Sequence, residues 1–166
     1  MSKTKTRILA IDPGTRHMGV ALLEDGCLIY HGVKIIKKQD TPHATLQAAR
    51  KTVLRLIKDS KPNVLVFEKT FFANNRNSAL LNVFGDEIRA IGRRKGLKVM
   101  SFAPGTVKKF ICGHGRASKF QVATVMVSKF PELKVYLTQD RAWKEVFHQN
   151  MFDAVALGVM AASKHF

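Results

Sequence analysis

The sequence predicts one mixed α/β domain. Two observations carry this: short continuous apolar runs alternate with longer segments whose apolar residues recur at helical spacing, and no repeat, low-complexity stretch or linker divides the 166 residues. A third is the opening, where three strand-like runs follow one another with only a turn between them. A chain of this length buries a sizeable single core, so residues 1–166 are expected to form one domain.

Arg7 to Asp12 (R-I-L-A-I-D) is apolar without alternation, as a central strand is, and Pro13-Gly14 breaks it. Met18 to Glu24 reads as a second strand, Asp25-Gly26 as a hairpin turn and Cys27 to Ile36 as a third strand. From Thr41 the period changes. Pro42 suits a first helical turn, Leu46, Ala49, Val53 and Ile57 share a face, and Lys61-Pro62 ends the helix. Val64 to Glu68 is a fourth strand. Ser78 is expected to cap a helix running to about Arg94. Gly85 and Gly92 inside it point to close backbone approach, to the sheet or to a second copy of the helix. Lys98 to Ala103 is a fifth strand and Pro104 to Cys112 a short helix. Ser118 caps a helix to about Phe130, and a last helix is expected from about Met151 to Lys164. Pro131 to Glu145 gives no clear period.

Composition narrows the partners. Lys and Arg number 28 against 12 Asp and Glu, a net charge of +16. Such a charge speaks of polyanions, nucleic acid first and anionic membrane second. No apolar run approaches the ~20 residues of a membrane span, and the polar start at Met1 to Arg7 lacks the apolar core of a secretory signal. Cys27 and Cys112 have no close Cys or His partner at zinc spacing, so reduced, buried or semi-buried thiols in a cytoplasmic protein are expected.

With so few acids, each can be weighed. Asp12 follows I-L-A-I, Glu68 follows V-L-V-F, and Asp153 precedes A-V-A-L-G-V-M at the expected head of the last helix. A carboxylate at the edge of buried structure must be paired, hydrogen-bonded or on a metal. If the first and fourth strands are parallel neighbours, Asp12 and Glu68 emerge together at their carboxyl ends, where open α/β sheets bind ligands. Asp153 then completes a cluster suited to Mg²⁺ or Mn²⁺. Plainer readings stand beside this one: an Asx turn for Asp12, and a favourable helix-dipole position for Asp153. Glu68 has no such plain reading. In a basic protein, carboxylate-held ions have a natural use in phosphodiester hydrolysis.

The residues I-D-P-G-T-R, F-E-K-T-F-F-A-N-N, F-A-P-G-T-V-K-K with G-H-G-R-A-S-K, and D-A-V-A-L, in this order, resemble the RuvC-type Holliday junction resolvases of the ribonuclease H-like superfamily. The resemblance implies a five-stranded mixed sheet with three antiparallel strands and helices on both faces. It implies a homodimer that nicks four-way junction DNA symmetrically with Mg²⁺ or Mn²⁺, two ions per site, leaving 5′-phosphate and 3′-hydroxyl ends. Asp12, Glu68 and Asp153 match its catalytic metal ligands. Phe71 matches an aromatic that acts on bases near the crossover, with Phe72 left for the core. Lys108 and Lys119 match lysines that face DNA phosphates. The implied setting is the cytoplasm, on nucleoid or viral DNA.

Two departures stand out. The family usually has Asp or His three residues before the Asp of D-A-x-A, and here that position is Asn150. Asn150 is then a weaker member of the catalytic set, a ligand replaced by His148, or an introduced Asp→Asn change. The loss of an acidic ligand there admits an alternative function, a junction-binding protein with weakened or lost cleavage, natural or engineered. The second departure is the stretch from Pro131 to His148, longer than is typical. It holds Tyr136, Arg141, Trp143 and Lys144, which either contact unpaired nucleotides or pack on their own domain. Arg116, in a glycine-bounded loop before a helix, and Arg76 are further phosphate-contact candidates. The run Arg93-Arg94-Lys95 reads as a solvated helix end, and His17 and His114 as surface histidines.

Overall fold

An apolar strand without alternation is stable only when both its faces are covered, and the architecture supplies that cover. The computed structural model describes residues 3–69, 76–138 and 141–165. Strands β1 (Arg7–Asp12), β2 (His17–Glu24) and β3 (Cys27–Ile35) lead into helix α1 (Pro42–Ser60). Strand β4 (Val64–Glu68), helix α2 (Arg76–Arg94) and strand β5 (Lys98–Phe102) follow. Helices α3 (Pro104–Cys112), α4 (Lys119–Lys129), α5 (Lys134–Leu137) and α6 (Ala142–His165) complete the order, with a 3₁₀ turn at Pro131–Leu133. The sheet has five strands in the order β3-β2-β1-β4-β5. The pairs β1–β2 and β2–β3 are antiparallel, and β1–β4 and β4–β5 are parallel.

Alternate residues of the central strands feed two cores. Leu9, Ile11, Leu65 and Phe67 face α1 and α2, where Val53, Phe84 and Ile88 are fully buried. Ile8, Ala10, Val64 and Val66 face α6, which α4 covers in turn. That double cover makes α6 apolar on all sides from Met151 to Ala161 apart from Asp153.

Several expectations shift. Helix α2 already starts at Arg76, so Ser78 lies inside it and is not its cap. Gly92 does meet the sheet: a Cβ there would press on Val99 and Leu65. Cys27 is exposed on the edge strand. The largest shift is α6, which begins at Ala142, nine residues before the expected Met151. Its first two turns carry exposed Trp143 and Val146, so no core-facing period marked them as helix. Asp153 therefore sits mid-helix, and the helix-dipole reading of it falls.

Candidate metal centre

In the parallel pair, Ile11 lies opposite Phe67, so the next residues, Asp12 and Glu68, come level at the carboxyl ends of β1 and β4. Both share the parity of Ile8, Ala10, Val64 and Val66, which face α6. Asp153 projects from α6 toward the same point. One ligand atom from each of Asp12, Glu68 and Asp153 lies within 4.8 Å of the others.

Close seating of α6 makes this meeting possible. Gly19 pairs with Asp12 across the β1–β2 ladder. A Cβ on Gly19 would collide with the carbonyl of Asn150 and with the Met151 nitrogen, so α6 lies backbone to backbone on β2 one turn before Asp153. Two turns on, Gly158 leaves room for the Leu23 side chain, which a Cβ there would strike. The Asn150 amide fastens the crossing by donating to the His17 carbonyl at 3.1 Å. The sequence signal for this crossing is Gly19 itself, since a glycine inside a strand marks close backbone approach.

The electrostatics are those of an anionic cluster short of cations. Asp12 is 8% exposed. Burial, then the charges of Glu68 and Asp153, push its carboxyl well above the usual range, against a smaller pull from Lys119. Burial and then Asp153 raise Glu68 to about 7, opposed by Lys119 and Lys108. Burial also raises Asp153, with the same two lysines opposing. Among the described residues, Lys119 is the one cation in ion-pair contact with the trio, its Nζ 3.8 Å from Asp153. Glu68, Lys108, Lys119 and Asp153 line an open hollow of about 80 Å³. Three oxygen donors with unbalanced negative charge fit a hard divalent cation, so the donor set suits Mg²⁺ or Mn²⁺.

The other candidates separate. His148 is not part of the gathering: its Nδ1 donates to the Lys144 carbonyl at 2.8 Å, and its ring packs on Tyr136 and Phe147. The ring of His17 meets Phe147 edge-on. Arg116 is exposed in the turn between α3 and α4. The Ser118–Gln121 capping box closes two backbone donors of the following helix, which leaves Arg116 to act by its own side chain. Arg93 and Arg94 are exposed at the end of α2, as a solvated helix end is. Arg76 opens α2. Phe71 and Phe72 lie outside the described residues.

Comparison with known proteins sets this geometry in a family. The family model "Crossover junction endodeoxyribonuclease RuvC" matches residues 8–159. The RuvC of Neorickettsia sennetsu is 33% identical over 156 residues, 90% of this chain and 88% of that protein. The Sorangium cellulosum RuvC is 35% identical over 128 residues, 74% of this chain and 71% of that one. Among solved structures, Thermus thermophilus RuvC in complex with Holliday junction substrate superposes with a TM-score of 0.74 at 20% identity, covering 96% of this chain and 94% of that one. The yeast mitochondrial Holliday junction resolvase gives 0.72 at 15% identity, covering 97% and 81%. These two likenesses speak for the fold.

Proposed function

Because the chain belongs to the RuvC family of crossover junction endodeoxyribonucleases, we propose that it resolves four-way DNA junctions by hydrolysing one phosphodiester bond in each of two strands. The products carry 5′-phosphate and 3′-hydroxyl ends. The observation that carries this reading is the gathering of Asp12, Glu68 and Asp153 at one strand edge of a protein with net charge +16.

Asp12, Glu68 and Asp153 would hold Mg²⁺ or Mn²⁺, two ions per site. Such ions, when bound, would activate a water and stabilise the leaving 3′ oxygen of the cleaved strand. Asp12 and Glu68 come from rigid strand ends and Asp153 from the seated helix, so their spacing is set before DNA arrives. Lys108 and Lys119, on the rim of the hollow, take the phosphate that the acids would repel. Arg116 and Arg76 extend the phosphate contacts along the backbone, and Phe71 stacks on bases at the crossover. Asn150 acts as a positioning residue, since its amide is committed to the His17 carbonyl. The reading of a chain that only binds junctions is not favoured, because the trio assembles without an acid at position 150. The chain acts as one nuclease domain over residues 1–166, and two copies are needed for paired nicks, hence a homodimer. Its place is wherever junction DNA forms, in the cytoplasm on nucleoid or viral DNA. Among the described residues, no helix is long and apolar enough to cross a membrane.

A side-by-side cleavage assay on a four-way junction, a linear duplex, a flap and an RNA–DNA hybrid tests the proposal. Symmetric nicks in the junction alone are expected. Preferential cutting of the hybrid, or junction cleavage that starts only in Asn150→Asp, would contradict it.

A further inference from the structure

The hollow that holds the carboxylates does not stop at Lys119. That lysine also walls a second hollow, of about 410 Å³, with His17, Trp143, Val146 and Asn150. It walls a third, of about 130 Å³, with Phe120 and Gln149. The surface around Lys119 is unusually apolar for the rim of a charged site. Trp143 is 61% exposed, Phe120 62% and Val146 62%.

The other aromatics of this region behave differently. Tyr136 packs against His31 and His148, and Phe147 against His17 and His148. Among the described residues, neither Trp143 nor Phe120 has an aromatic partner. A cation accompanies the indole instead, with Lys144 Nζ 5.8 Å from its ring centre.

The placement is directional. Trp143, Val146, Asn150 and Asp153 recur at intervals of three and four and so share one stripe of α6. Ten residues of helix separate Trp143 from Asp153, about 15 Å along the axis. That distance is about four base steps of a stacked strand. An apolar ring beside lysines, on a polycationic chain, continuous with a phosphodiesterase centre, suits a nucleobase better than an apolar protein face. Bases offer a π surface while their phosphates pair with the surrounding charge.

We propose that Trp143 stacks on a nucleobase of the cleaved strand about four nucleotides from the scissile phosphate, with Phe120 flanking the same strand across Lys119. The inference rests on the nuclease reading above. It gives the early start of α6 a role, since those turns carry the ring out over the substrate path.

Trp143 is the chain's single tryptophan, so intrinsic emission reports on this ring alone. The wild-type chain is titrated with a dye-labelled four-way junction in the absence of divalent metal, following anisotropy of the dye and emission of the tryptophan together. Stacking predicts quenching that tracks the anisotropy. It predicts that Trp143→Ala binds the junction about tenfold more weakly, with an unchanged melting temperature, and that Trp143→Phe restores most of the loss. An abasic site at the stacked position should erase the difference between wild type and Trp143→Ala. Full binding by anisotropy with unchanged emission, and Trp143→Ala binding as wild type does, would overturn the stacking role alone. An emission shift with protein concentration rather than with DNA would overturn it in favour of a protein interface. No rise in anisotropy at all would overturn the nuclease reading together with this inference.

Discussion

Glu68 is the residue in which sequence, structure and chemistry meet most directly. A glutamate closing a buried strand has few structural uses, and here it ends beside two further carboxylates. Its raised pKa has a consequence for stability. An acid whose folded pKa exceeds its unfolded one binds more protons when folded, so stability is lost as pH rises through the interval between them. For Glu68 that interval runs from its ordinary value of 4.5 to about 7, and Asp12 and Asp153 shift in the same direction. Metal-free protein should therefore melt at a lower temperature at pH 8 than at pH 5. Glu68→Gln should narrow that difference by stabilising the chain at pH 8, and Mg²⁺ should stabilise the wild type at pH 8 but the variant far less. Thermal melts at the two pH values, with and without Mg²⁺, read all three. Asp12 was legible at this scale only as one of several readings, because an Asp before Pro-Gly is also what a turn needs. Its neighbours in space, not in sequence, decide between them.

At the scale of elements, the strands were the most legible. Runs such as I-L-A-I and V-L-V-F are apolar on both faces, and both faces of the sheet are covered. Helix α6 was legible only where it is buried. From Ala142 to Gln149 it lies at the rim with no buried residue, so no core-facing period marks it in the sequence. The misplaced start put Asp153 at a helix head. Its meeting with Asp12 and Glu68 could still be anticipated, because apolar packing brings that helix onto the sheet wherever it begins. The tight crossing at Gly19 could not be read, since it depends on which helix backbone lies above that strand. Gly19→Ala should push Asn150 and α6 away from β2. Overpacking of this kind typically costs about 1–3 kcal/mol, and the displaced Asp153 should lower cleavage by more than the loss of folded protein explains. Denaturant titration beside a single-turnover cleavage assay separates the two effects. Unimpaired cleavage in a destabilised variant would show that the crossing does not set the site.

For the whole molecule, the balance of charge is the governing fact. A net charge of +16 surrounds the acidic trio, so the protein as a whole attracts a polyanion while the metal-free trio repels phosphate. A cation in that pocket removes the last repulsion toward phosphate. If six or more phosphates are contacted, junction affinity should fall by on the order of 10³-fold or more between about 50 and 200 mM salt. Filter binding or anisotropy across that range measures the slope, and a flat response would mean that the basic surface does not face the DNA. The most direct test of the central claim is nicking of a synthetic four-way junction in Mg²⁺ by wild type, Asp12→Asn and Glu68→Gln. The wild type should make paired nicks that require the metal, and neither variant should nick above background at equal junction occupancy. Cleavage that persists in the variants, or proceeds without a divalent ion, would contradict it.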